Sequence, residues 1–155
     1  MVGSLIIGYG SSLRGDDGIG LEVAQIISEW KLLEVRSLYQ HQLTPELAAE
    51  LALVDLAIFI DACQSIDKNT VEVHPIKPSS SIEFRSHFGD PRILLSLTKA
   101  LFNRCPQAWW ILVPGSDFEL KDCLSPLAKQ GIKEAVKQVK NLLAERTVPK
   151  SGCTK

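Results

Sequence analysis

The sequence predicts an α/β protein: a three-layer sandwich with a mostly parallel, five-stranded sheet and helices on both faces. Three observations carry this expectation. Short apolar runs recur along the chain, as buried parallel strands require. Amphipathic stretches with apolar residues at helical spacing separate most of them. Alternation of the two element types builds such sandwiches, and their ligands sit beyond the carboxyl ends of the parallel strands.

The elements follow in order. Residues 5–9, "LIIGY", form an apolar strand that ends at a glycine loop. Ile19, Val23, Ile26, Ile27 and Trp30 then keep helical spacing, which predicts a helix over about 17–30 with Asp16 as its N-cap. Residues 32–38 read as a second strand. Thr44 followed by Pro45 opens a second helix. Residues 56–62, "LAIFIDA", are a third strand, apolar until Asp61. "TVEVHPI", 70–76, alternates and is rich in β-branched residues. Its connection to the third strand is too short for a crossover helix, so it is expected antiparallel to that strand and at an edge. Residues 91–102 are helical, 108–115 are a strand stopped by Pro114, and a last helix spans about 123–144. Residues 1–146 are expected to form one domain and 147–155 a frayed polar tail.

Composition narrows the function classes. The chain has 155 residues, enough for one substantial core, and 45% are apolar. A formal net charge of −1 offers no global attraction to nucleic acid or to an acidic membrane. No apolar segment reaches the roughly 20 residues of a membrane helix. Cys63, Cys105, Cys123 and Cys153 fit neither a zinc pattern nor a disulfide framework. Reduced thiols in a cytoplasmic protein are the expectation.

The stretch "GYGSSLRGDDGIG", Gly8 to Gly20, places two adjacent acids after a glycine loop. Asp16 reads as a helix cap or as a functional acid; as a cap alone, its loss would cost about 0.5–2 kcal/mol. Asp17 reads as a first-turn acid complementing the helix dipole, or as a ligand. Asp61 terminates a strand among Ile58, Phe59 and Ile60, where an unpaired carboxylate costs several kcal/mol. It caps the following turn or meets a cation. His87, in the loop before the third helix, also reaches the carboxyl edge, unless it is simply a solvated loop histidine. His41 falls at the same edge as a possible substrate contact. His74 reads as structural or exposed, and Cys63 as a packed thiol. Asp17, Asp61 and His87 make an O/O/N set suited to Ni²⁺ or Zn²⁺ with positions left open.

Two rivals are weaker. A dinucleotide fingerprint needs a third glycine where Leu13 stands, and acids at a helix start repel pyrophosphate. A receiver domain also has an acid pair and a strand-ending phosphoacceptor, here Asp61, but the lysine expected after the fifth strand is missing from "ILVPGSD".

With these residues assembled, the chain resembles the hydrogenase maturation proteases over nearly its whole length. The motifs are "GYGSSLRGDDGIG", "LAIFIDA" with Asp61, and "SHFGDP" with His87. Ser11 departs from the asparagine usual in the family after the second glycine. The resemblance implies a sandwich with a five-stranded twisted sheet. It implies an endopeptidase, of aspartyl or metal-dependent type, that trims the C-terminal extension of a nickel–iron hydrogenase large-subunit precursor. Asp17, Asp61 and His87 would bind nickel supplied by that precursor, with zinc or another divalent cation able to substitute. Those three and Asp16 are the catalytic candidates, with Asp16 or Asp17 as the base. A non-catalytic nickel-dependent maturation chaperone is the other reading. The protein is expected to act as a monomer.

Overall fold

The computed structural model describes residues 3–64, 69–80 and 89–147. In chain order the elements are β1 (Ser4–Tyr9), a 3-10 turn (Gly15–Gly18), α1 (Ile19–Glu29), β2 (Val35–Gln40), α2 (Leu47–Leu51), β3 (Leu56–Gln64), β4 (Glu72–Ile76), α3 (Pro91–Phe102), β5 (Gln107–Gly115) and α4 (Pro126–Thr147). The strands form one sheet in the order β2-β1-β3-β5-β4. β1 pairs in parallel with β2 and β3, and β3 with β5. The fold is thus the expected mostly parallel α/β sandwich.

Side-chain alternation along the buried strands feeds two cores. Ile6, Ile58, Ile60, Ile111 and Val113 pack with α1 and α4 on one face. Leu5, Ile7, Tyr9, Ala57, Phe59 and Ala108 pack with α2 and α3 on the other. Each aliphatic side chain removed fully from water contributes about 1.5–3 kcal/mol. α1 lies very close to β1 because two glycines face each other: a Cβ on Gly8 would sit 1.9 Å from the Gly20 carbonyl oxygen. The glycines of the loop therefore serve helix–strand contact as well as the turn.

Several boundaries differ from the sequence expectation, for local reasons. β2 starts at Val35, not residue 32, because Lys31 and Glu34 take left-handed φ of 50° and 63° and turn the chain first. β4 lies at an edge as expected, but its partner is β5 rather than β3. β3 already holds parallel partners on both sides, and Pro75 suits β4 to an outer position. The α3 range agrees with expectation: Asp90 accepts the Arg92 amide at 2.9 Å, Pro91 stands at the first position, and Asn103 ends the helix at φ 54°. α4 begins at Pro126, because Ser125 caps it by accepting the Ala128 amide at 3.1 Å. The antiparallel edge strand and strand order also separate this fold from the 2-1-3-4-5 order of receiver domains.

Among the described residues no helix is long and apolar enough to cross a membrane. Cys63, Cys105 and Cys123 are free thiols. The tail from residue 148 onward lies outside the described residues.

Candidate functional site

The site lies at the carboxyl ends of β1 and β3, which are neighbours in the sheet. β1 runs out at Tyr9, and Gly10 takes φ 141° to start the loop. A Cβ there would sit 2.0 Å from the Asp17 carbonyl oxygen, so the loop is folded back on its own 3-10 turn. This brings Asp17 to the loop's start, where its Oδ2 accepts the Ser11 amide at 2.9 Å. Ser11 Oγ accepts the Leu13 amide at 3.3 Å. At Ser11 the main chain thus holds the acid and the hydroxyl holds the turn.

Asp16 does something its sequence context did not suggest. It is fully buried and does not cap α1, which begins at Ile19 without a side-chain cap. Instead Oδ2 accepts the Ser116 amide at 2.7 Å, the Asp117 amide at 3.1 Å and the Ser125 hydroxyl at 2.6 Å. Oδ1 accepts the Ser125 amide at 2.8 Å. Burial by itself raises the pKa of this carboxyl, but these four hydrogen bonds outweigh it and hold the group below the ordinary value. Main-chain bonds reinforce the clamp: the Asp16 amide donates to Asp117 at 2.7 Å and Gly15 to Lys121 at 2.9 Å. Asp16 therefore ties the acid loop to the β5–α4 connection. The helix-cap expectation is corrected: the 3-10 turn points this carboxylate at residues a hundred positions away.

Asp61 sits on the same sheet face as Phe59, and Tyr9 stands beside it on β1, one step past the Gly8–Ile60 pair. Asp61 is half-buried, and burial pushes its carboxyl up to about 7. The Tyr9 hydroxyl and the Ala62 amide oppose the rise, while the Asp17 charge adds to it. The 3-10 turn that carries Asp17 packs against β3, which carries Asp61, so both acids stand at one rim. Two nearby carboxylates, one costly to ionise, suit a site completed by a cation.

Tyr9, which the sequence reading passed over, is 6% exposed. Burial, then the Asp61 charge, raises the pKa of its phenol. Among the described residues neither Tyr9 Oη nor the buried Trp110 Nε1 has a hydrogen-bond partner of normal geometry. Only the fold reveals either atom, because an aromatic in an apolar strand reads as core.

The other candidates divide. His87 lies outside the described residues, and among those described no group of three His, Cys, Asp or Glu is placed to hold a metal. His41 is exposed after β2. His74 is exposed on β4, 3.5 Å from Glu72. Cys63 is half-buried, and its thiol pKa is raised by burial first and then by Glu72 and Asp61. A groove of about 1090 Å³ runs between the β4–β5 edge and α3. Its lining includes Trp110 and Leu112, and Leu112 is the register partner of Asp61. Lys77, Arg92 and Lys99 also line it.

The Asp61 shift has a testable consequence in the cation-free protein. The folded pKa is about 7 against 3.8 for the ordinary group. Between those values the folded state keeps a proton that the unfolded chain has released, so stability falls as pH rises from about 4 to 7. Asp61→Asn is expected to remove this slope. Denaturant unfolding across that range should find the variant more stable above pH 7, by on the order of 4 kcal/mol at most. Parallel pH profiles for variant and wild type would contradict the assignment.

No family model and no curated protein matches the sequence. Solved structures do. Hydrogenase maturating endopeptidase HybD from E. coli superposes with a TM-score of 0.73 at 20% identity, covering 97% of this chain and 99% of that one. A [NiFe] hydrogenase maturation protease HycI from Thermococcus kodakarensis gives 0.70 at 24% identity, covering 92% and 93%. A hydrogenase 2 maturation peptidase from a Thaumarchaeota archaeon gives 0.70 at 19% identity, covering 92% and 98%. The likeness extends over nearly the whole chain, so this chain has the α/β fold of the hydrogenase maturation peptidases.

Proposed function

We propose that this protein is an endopeptidase that removes the C-terminal extension of a nickel–iron hydrogenase large-subunit precursor. It reads the nickel-loaded state of that precursor through Asp17, Asp61 and His87. The observation that supports this most is that Asp17 and Asp61, 44 positions apart in sequence, stand on a 3-10 turn and a strand that pack together at the carboxyl rim of the shared fold. A buried carboxyl beside a second acid gains when a cation arrives. A precursor without nickel leaves both acids uncompensated and binds poorly. The metal thus belongs to the substrate; held by Asp17, Asp61 and His87, it would supply positive charge to the site where the peptide C–N bond is cleaved.

The chain's own residues then have separate tasks. Asp16 is enclosed by four hydrogen bonds and holds the loop. Of the adjacent acids, the base role therefore falls to Asp17, which the Ser11 amide orients. Water gives its proton to that carboxylate as its oxygen bonds to the carbonyl carbon. The C–N bond then breaks and the leaving amine takes the proton. The groove along α3 provides an extended segment of the precursor with a track to the rim.

Mass spectrometry of a large-subunit precursor tests the proposal. Incubation with this protein is expected to lower the mass of the nickel-loaded form by one C-terminal peptide and to leave the nickel-free form intact. A stable complex with no mass change would replace the peptidase with a nickel-dependent chaperone.

A further inference from the structure

We infer that Tyr9, braced by Trp110, is a positioning residue for Asp61. Its hydroxyl donates to the Asp61 carboxylate when a cation occupies the site, and so fixes which carboxylate oxygen faces that cation. The inference rests on the cation-binding reading of Asp17 and Asp61.

Three observations carry it. The first is burial without satisfaction. Tyr9 is 6% exposed, and among the described residues its hydroxyl and the buried Trp110 Nε1 both lack a hydrogen-bond partner of normal geometry. Unmet polar groups of this kind cost about 1–3 kcal/mol each. Packing alone would be served as well by phenylalanine, so the core gives no reason for the hydroxyl. The second is placement. Side-chain alternation puts Tyr9 of β1, Phe59 and Asp61 of β3, and Trp110 of β5 on one face of three adjacent strands. The Tyr9 hydroxyl lies within electrostatic reach of Asp61 and beside the Trp110 indole.

The third is donor chemistry. An indole N–H only donates, a phenol both donates and accepts, and an ionised carboxylate only accepts. A chain through all three therefore has one direction, from Trp110 Nε1 to Tyr9 Oη to Asp61. It ends on one Asp61 oxygen and leaves the other for the cation. Groups that orient a metal ligand in this way commonly change affinity by about 10–100-fold when removed.

The test is Ni²⁺ binding to the full chain by isothermal titration calorimetry at one pH, with Tyr9→Phe as the main variant. Tyr9→Phe is expected to keep the metal-free melting temperature of wild type or exceed it, and to bind Ni²⁺ about 10-fold more weakly or worse. Trp110→Phe, which keeps a ring but loses the N–H, is expected to weaken binding in the same direction by less. In an Asp61→Ala background, Tyr9→Phe should not lower the remaining Ni²⁺ affinity further, because its acceptor is gone; a purely structural role would not show this coupling. Equal Ni²⁺ affinity in wild type and Tyr9→Phe overturns the inference and leaves the cation reading intact. A wild-type protein that binds no Ni²⁺ overturns the inference, and the cation reading is then decided by whether trimming depends on nickel in the precursor. Trimming of the precursor is read separately by mass, so failure of the peptidase reading is not confused with either result.

Discussion

Asp61→Asn is expected to reduce trimming of a nickel-loaded precursor by roughly 10²–10³-fold, while the protein remains folded. The substitution keeps the shape of the side chain and removes its charge. Leaving a partly buried cation without one of its carboxylates costs about 3–5 kcal/mol, which sets the size of the loss. Stability moves the other way, because the carboxyl that burial raised to about 7 is no longer there to ionise. This opposition makes the result interpretable: a variant that is inactive but at least as stable above pH 7 cannot be inactive through unfolding. Asp17→Ala and His87→Ala are expected to lose trimming as well. Precursor mass measured over time gives the rates, and wild-type rates in these variants would remove the site.

Asp16→Asn is expected to have the largest effect on stability, a loss of about 3–5 kcal/mol. The buried carboxylate accepts four hydrogen bonds, three of them on Oδ2. An amide offers one oxygen, and its NH₂ would have to face donors. One or more of the Ser116, Asp117 and Ser125 amides would then be left buried and unmet. The loss exceeds the 0.5–2 kcal/mol of an ordinary helix cap, because the clamp joins two distant loops. Its pH signature is opposite to that of Asp61. A carboxyl held below 3.8 stabilises the fold above that value, and the contribution is lost as pH falls through the folded pKa. Urea denaturation of both proteins at neutral pH measures the difference. A loss under about 1 kcal/mol would mean the clamp is not needed.

The two acids show where sequence reading stops. Adjacent residues with the same side chain turn out to have opposite tasks. Asp17 is half-buried and its carboxylate accepts the Ser11 amide, whereas Asp16 is sealed under the β5–α4 connection. No local pattern separates them, because what separates them is the direction of a 3-10 turn and a loop a hundred residues away. Tyr9 was equally hidden, since its hydroxyl matters only beside Asp61.

What the sequence determined by itself was whatever depends on periodicity and punctuation. Apolar and alternating runs marked the strands, the 3.6-residue spacing marked the helices, and the helix expected over 91–102 coincides with α3. The break in apolarity at Asp61 placed an acid at the end of β3. Periodicity of this kind is a short-range property, set by the geometry of a strand or a helix. The tertiary structure alone decided that β4 joins β5, that Asp16 is a clamp, and that Tyr9, Asp61 and Trp110 share one face. Each of these depends on which elements become neighbours, and that is settled by burial and hydrogen bonding between segments far apart in the chain.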